Sequence, residues 1–520
     1  MDNNTTVENQ AEVKNGIKRL VFAGIAILLQ VAVILIIQFY FTAQAEWFAS
    51  GMRLLATLLV LFIYNGYGTA ATKMTWIILI MAAPVFGTTF YLLVGLNRGP
   101  RMMRERYEEV DKKLFALLPD GAKAHETLSN ADGHAANISH YLHEQSSYPL
   151  YDDTAITYYD DATKGIEAQK EELRRAEHFI FMEYHAIEDA ESWHAIQDIL
   201  EERVRAGVEV RVFYDDAGSI GFVNTDFVDR LEAKGIKAKV FNPFMPGINL
   251  FLNNRDHRKI TVIDGKVGFT GGYNIANEYF NLTHPYGHWK DTGVRLEGPA
   301  VKNLTAAFLE MWNASDERGS DDKSYEQYFP EVPASLDAQG YVQPYADSPM
   351  DDVQVGEDTY ISAAEYAQKY VWFVTPYLII TDEMERVLGL AARRGVDVRI
   401  ITPGIPDKKI VYSITRSYYH KLALCGVRIF EYTPGFVHAT MCVADDVLAT
   451  CGTINLDFRS LYHHFENGCL FYDCQTVGEI RADFDRVFPQ CREVTEKYRS
   501  GLTVPMRVAQ LLLRIVSPLL

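Results

Sequence analysis

Two stretches of this chain, 257–274 and 438–455, carry one skeleton. In each, a His is followed by an Asp seven residues on, a Gly fourteen on and an Asn seventeen on: His257, Asp264, Gly271 and Asn274, then His438, Asp445, Gly452 and Asn455. The match fails at one place, where Lys259 of the first copy is answered by Thr440. The likeness extends outward. An apolar, strand-like run from His178 to Tyr184, a helical stretch over 195–205 and a turn at Gly207 into a second strand reappear as Tyr370 to Pro376, a helical stretch over 384–394 and a turn at Gly395. A period of about 180–190 residues is a duplicated domain, not a solenoid. Strand and helix alternate within each copy, so each half should be an α/β unit.

The rest of the 520 residues divides around these halves. We expect a membrane anchor over 1–98, a polar helical connector over 99–150, the two α/β domains over 151–325 and 326–503, and an amphipathic segment over 504–520. The anchor rests on three apolar runs, Leu20–Thr42, Leu54–Tyr67 and Trp76–Leu96. The first and third are long enough for a helix of about 20 residues to cross a bilayer. A cleaved signal peptide is the weaker reading, because the first run exceeds the usual apolar region of about 7–15 residues and no A-x-A-like site follows it cleanly. Lys14, Lys18 and Arg19 before the first run, and Arg98, Arg101, Arg104 and Arg106 after the third, both claim the cytoplasmic side. Two spans, with the middle run re-entrant, satisfy both clusters; three spans overrule one. Either way we place the catalytic halves in the cytoplasm, with the arginines near anionic headgroups. Six late cysteines without CxxC spacing read as thiols and not as a zinc site or disulfide framework. A net charge of −18 argues against nucleic acid as a partner, so an anionic substrate needs a local positive pocket.

Such a pocket is written into the first motif. His257 and Lys259 are two apart, so on a strand they share a face. A phosphodiester held there meets a nucleophilic imidazole, an ammonium that offsets phosphoryl charge and the Asn274 carboxamide. If the halves face each other, one His attacks phosphorus and the other protonates the leaving alcohol. Asp264 and Asp445 are the natural candidates to orient them, and Asn455 repeats Asn274. Asp291 and Glu466 follow the two motifs in comparable strand contexts; a structural role and a site-orienting role stand about even. The chemistry requires neither metal nor cofactor.

These residues resemble the phospholipase D superfamily, whose mark is a duplicated HxKxxxxD motif with a downstream Gly-Gly/Ser/Thr-x-Asn. Within it the chain is similar to bacterial cardiolipin synthases, through its paired N-terminal apolar segments, the run Gly271 to Tyr279 and the run Gly452 to Asn467. The resemblance implies two tandem phospholipase D-like α/β domains related by a pseudo-twofold axis. It also implies phosphatidyl transfer between two phosphatidylglycerol molecules, giving cardiolipin and glycerol through a phosphohistidine. By the same analogy His257 is the nucleophile and His438 the acid/base, with Lys259, Asp264 and Asp445 completing the catalytic set and Asn274, Asn455 and Thr440 at the phosphate. Partners would be phosphatidylglycerol and anionic membrane lipids; the pattern leaves oligomerisation open.

Thr440 departs from the family, whose residue there is Lys. Losing a charged phosphate contact of about 1.5–3 kcal/mol predicts a rate lower by about 10- to 100-fold. With both His, both Asp and both Asn kept, a natural variant or a substitution introduced to slow the enzyme fits better than decay. Two other readings share the motif: a phospholipase D that passes the intermediate to water or another alcohol, and a lipid-binding protein impaired by Thr440. Among lesser features, Phe244, Met245, Leu250 and Phe251 form an apolar loop suited to core packing or an acyl groove. His463 and His464 are adjacent and point oppositely on a strand, which disfavours a joint metal site. His185 is expected to be a hydrogen-bonded structural His.

Overall fold

The computed structural model of the protein describes residues 46–500 except 67–68, 96–98, 244–253, 316–321 and 352, with scattered positions between 21 and 36 and residues 513–514. Most of the first apolar run, the apolar loop from Phe244 to Phe251 and most of the C-terminal segment therefore lie outside the described residues.

The first half contributes strands β1 (Ala155–Tyr159), β2 (Phe179–Tyr184), β3 (Glu209–Asp215), β4 (Lys237–Phe241), β5 (Arg255–Asp256), β6 (Lys259–Ile263), β7 (Val267–Gly271), β8 (His288–Lys290) and β9 (Gly293–Glu297). The second contributes β10 (Tyr341–Asp347), β11 (Tyr370–Val374), β12 (Leu378–Ile379), β13 (Asp397–Pro403), β14 (Arg428–Tyr432), β15 (Gly435–Val437), β16 (Met441–Ala444), β17 (Leu448–Gly452), β18 (Leu456–Asp457), β19 (His464–Tyr472) and β20 (Cys491–Glu493). One sheet runs β1-β9-β7-β6-β2-β3-β4, the other β10-β19-β17-β16-β11-β13-β14-β20. β20 extends the second at its edge, and over the first seven positions the two are the same sheet. Its parallel part (β2-β3-β4; β11-β13-β14) comes from helical crossovers, and its antiparallel part from the motif hairpins β6-β7 and β16-β17. β2 and β11 are buried at every residue, as apolar central strands covered on both faces should be.

Two short ladders join the halves. β5 pairs in parallel with the start of β19, placing Asp256 opposite Phe465, and β15 pairs in parallel with β8, placing Val437 opposite Lys290. The helix Val301–Ala314, buried at every residue but Lys302, fills the space behind the seam, with Phe308 stacked on Phe181 at 4.6 Å. The connector helix Gly99–Leu114 docks there too, Tyr107 stacking on Phe465 at 5.1 Å.

The third apolar run does not form one continuous helix. Helix Ala70–Ala82 stops at Ala83, helix Pro84–Phe90 begins anew, and a π-helical turn follows over Tyr91–Gly95. Pro84 has no N–H to continue the first helix, and its ring disfavours helical backbone at Ala83. The second piece folds back on the first: Gly87 lies against the backbone of Ile80, where a side chain would not fit, and Tyr91 meets Trp76 edge-on at 5.2 Å. With helix Glu46–Asn65 these pieces close around Ala56, Leu59, Ile63, Trp76 and Ile80. Among the described residues no helix is long and apolar enough to cross a membrane. Leu54, Leu58, Leu61 and Phe62 are nonetheless each more than half exposed.

Candidate active site

The two inter-half ladders decide the geometry of the site. His257 follows β5 directly, and its N–H donates to Phe465 O at 2.8 Å. The next residue along the partner strand is Glu466, and His257 Nδ1–H donates to Glu466 Oε2 at 2.9 Å. His438 follows β15, its N–H donates to Lys290 O at 2.8 Å, and its Nδ1–H donates to Asp291 Oδ2, also at 2.8 Å. Each histidine is thus held by a carboxylate from the other half. Both histidines line one cavity of about 590 Å³ on the seam, together with Asn274, Asn455, Lys408 and Arg459. The carboxylates are accommodated differently. Gly272 has no side chain because Asp291 occupies that space, whereas its counterpart Thr453 donates its hydroxyl to Glu466.

The alternation expected of the first motif is present. Lys259 is buried, and its Nζ donates to His257 O at 2.6 Å. Arg258, between the two, points to the opposite face, where Nη1 donates to Ala307 O and Glu310 Oε2 at 2.9 and 2.8 Å. Burial pushes the Lys259 ammonium down to about 8, against the pull of Glu466, Asp256 and Asp291. Burial, then Lys259 and the neighbouring imidazoles, hold His257 well below its ordinary value, which keeps the ring neutral. Burial pushes the Glu466 carboxyl up, opposed by Lys259 and the Thr453 hydroxyl. In the second motif Thr440 follows the same path in miniature: its hydroxyl donates to Asn455 Oδ1 at 3.1 Å and lies 3.4 Å from His438 O. Asn274 is held at both ends of its amide, accepting from Ala186 N at 3.0 Å and donating to Tyr279 Oη at 2.8 Å.

Asp264 and Asp445 do not orient the histidines. Both sit in the hairpin turn at the far end of the motif strand, in left-handed backbone with φ of 53° and 52°. The Asp264 carboxylate accepts the backbone N–H groups of Glu177, His178 and Phe179, each at 2.8 Å. Asp445 does the same for Gln368, Lys369 and Tyr370 at 2.7–2.9 Å. Each carboxylate pins the hairpin to the start of the central strand. Asp264→Ala leaves three N–H groups without their acceptor and should cost about 2–4 kcal/mol, read as a lower melting temperature. Asp264→Asn, which keeps one acceptor oxygen, should cost less; melting temperatures equal to the parent in both variants would contradict this role.

Four further side chains surround the two histidines, none of them assigned to the site by the sequence motifs. His185 lines the cavity, its ring centroid 4.9 Å from that of His257, while its Nδ1–H donates to Asp256 O at 2.7 Å. His464 lies on the other side, 5.3 Å from His257. Around His438 the neighbours are aromatic instead, Tyr279 edge-on at 5.1 Å and Trp289 at 5.4 Å. The alternation of β19 was the available signal for His464, because it puts His464 and Glu466 on one face.

His257, His464 and Glu466 also bring one ligand atom each within 4.8 Å of one another, a set that could in principle hold a metal ion. The surroundings do not suit a cation. Arg459 Nε already donates to His464 Nε2 at 3.2 Å, and the Lys259 ammonium acts directly on Glu466. What the arrangement offers without an ion is a neutral imidazole beside an ammonium, facing a second imidazole that can carry a proton.

A family model described as "Cardiolipin synthase, PLD-like domain" matches residues 170–312 and 360–488. The chain is 40% identical to an uncharacterized protein of Streptococcus mutans over 89% of this chain and 99% of that one. It is 31% identical to a cardiolipin synthase of Halalkalibacterium halodurans, over 91% and 95% respectively. Cardiolipin synthase 1 of Bacillus cereus is 29% identical over 96% and 98%. Among solved structures, the phosphatidylserine synthase of Haemophilus influenzae shares the fold with a TM-score of 0.56 at 13% identity, covering 74% of this chain and 99% of that one.

Proposed function

Because this chain belongs to the cardiolipin synthase family of phospholipase D-like proteins, we propose that it is a phosphatidyltransferase joining two phosphatidylglycerol molecules into cardiolipin with release of glycerol. The observation that carries the reading is the pair of histidines in one cavity, each fixed through Nδ1 by a carboxylate of the opposite half. With Nδ1 so engaged, His257 presents Nε2 as a lone pair. That nitrogen attacks the phosphorus of the first phosphatidylglycerol, a P–N bond forms, and the P–O bond to glycerol breaks as His438 delivers its proton to the departing oxygen. A headgroup hydroxyl of the second phosphatidylglycerol then returns a proton to His438 and attacks phosphorus, and the P–N bond breaks to release cardiolipin. Lys259 offsets charge on the phosphoryl oxygens, assisted by the amide of Asn455, while Asn274 is a scaffold residue that holds Tyr279 against His438.

Purified protein mixed with phosphatidylglycerol vesicles should yield cardiolipin and glycerol in equal amounts. Phosphatidic acid in place of cardiolipin would assign a hydrolase, and bound lipid without product a non-catalytic lipid-binding protein.

The same reading attaches the chain to the cell membrane through 1–98, with several apolar segments in the bilayer and the two domains, 151–325 and 326–503, on the cytoplasmic side. The exposed leucines and Phe62 of helix Glu46–Asn65 support it, since an apolar face of that size calls for a non-aqueous neighbour.

A further inference from the structure

We propose that His464 is a positioning residue for His257, holding the shared Glu466 carboxylate in line by the N–H it turns toward it, its own ring being fixed by Arg459. The inference deepens the proposed reaction and rests on His257 being the attacking group.

The arrangement follows from what each atom is able to do. Arg459, in the short helix Phe458–Tyr462, donates Nε–H to His464 Nε2 at 3.2 Å. A guanidinium has only donors, so Nε2 must present its lone pair and the ring proton of a neutral His464 is assigned to Nδ1. Burial, then Arg459, hold His464 well below its ordinary value, so the ring is neutral. Its Nδ1–H faces Glu466 Oε1 across 3.5 Å, beyond hydrogen-bond geometry, and neither buried atom has a hydrogen-bond partner elsewhere. The second carboxylate oxygen, Oε2, already accepts from His257 Nδ1–H and from the Thr453 hydroxyl. Glu466 is therefore held between two imidazoles, one reacting and one steadying. Both turn Nδ1 toward it, His257 in a hydrogen bond and His464 in a longer electrostatic contact, and for His257 that choice leaves Nε2 as the nucleophile.

The other half shows that this place matters to the site. Two residues before the carboxylate of each inter-half ladder lies a ring in contact with the motif histidine: His464 before Glu466 touches His257, and Trp289 before Asp291 touches His438. The first half of the pair uses a polar ring with a donor, the second an apolar one. The Glu466 side alone thus has an imidazole N–H turned toward its carboxylate from the neighbouring ring.

Two variants separate this role from mere packing. His464→Asn keeps an amide N–H at the place of Nδ1–H. His464→Leu keeps bulk but no donor and, with Glu466 free to drift, should slow phosphatidyl transfer about 10- to 100-fold with KM little changed. The Asn variant should stay within about threefold of the parent. Nitrogen-15 spectra of histidine-labelled protein give a second readout, in which parent His464 and His257 both appear with the proton on Nδ1. The Leu variant should show His257 exchanging between tautomers. Equal rates for parent, Asn and Leu variants, or a parent His464 protonated on Nε2, would overturn the inference. Parent protein that makes no phosphatidyl-enzyme, with the tautomers as described, would instead refute the reading of His257 as nucleophile and leave the positioning of Glu466 by His464 standing.

Discussion

Changing His438 to Asn should lower cardiolipin formation about 10²- to 10⁴-fold, yet the same variant given a phosphatidyl ester of p-nitrophenol should still release one nitrophenolate per protein in a burst. Glycerol is a poor leaving group and needs a proton as its bond to phosphorus breaks. Nitrophenolate leaves unaided, so attack by His257 proceeds without an acid. The phosphatidyl-enzyme then persists, because its discharge needs His438 to take a proton from the incoming hydroxyl. His257→Asn should give no burst with either substrate, since the nucleophile itself is gone. The assignment rests on asymmetry between two motifs that look interchangeable. His257 is kept neutral by burial and by the Lys259 ammonium, as a nucleophile must be. His438 has only the hydroxyl of Thr440 at the matching place and stacks among Tyr279 and Trp289. A burst from the His257 variant and none from the His438 variant would reverse the two roles.

The duplicated spacing was enough to anticipate two like α/β halves and a site between them, because a repeat in which each strand and helix has its counterpart leaves few other ways to bury both sets of apolar strands. It also placed His257 and Lys259 on one face, as a period of two requires. Asp264 and Asp445 were misassigned although the distance was in plain view. Seven residues of extended chain span about 23 Å, so an Asp at that spacing sits at the opposite end of the strand from its histidine. Its partners are backbone N–H groups of β2 and β11, which no motif displays. Asp291 and Glu466 could not be promoted from the sequence, since they reach the histidines through the register of β15 on β8 and of β5 on β19. Those ladders join residues about 150 and 210 positions apart. Apart from the strand face shared by His464 and Glu466, the contacts of His464 with Arg459 and Glu466 depend on the fold and have no mark in the sequence. The break in the third apolar run is legible: Pro84 stands in its middle.

Restoring the family lysine, Thr440→Lys, should raise turnover about 10- to 100-fold near neutral pH while bringing its alkaline decline to lower pH. A charged donor to phosphate contributes about 1.5–3 kcal/mol, and about 1.4 kcal/mol is tenfold in rate when the contact acts in the transition state. The path is available: Lys259 runs from the strand to place Nζ on His257 O, and the Thr440 hydroxyl already points at His438 O and Asn455. Thr440→Val, which removes only the hydroxyl, should change the rate by tenfold or less, about 0.5–1.5 kcal/mol. The pH argument has a definite sign. Lys259 is pushed down to about 8, so its charge is present below that pH and lost above it. In the parent, turnover should therefore fall as pH rises through about 8. A second buried ammonium repels the first, so both give up protons more readily and the fall begins earlier. A rate unchanged at every pH in Thr440→Lys would mean that position 440 does not touch phosphate, and that Lys259 bears the phosphoryl charge without a counterpart.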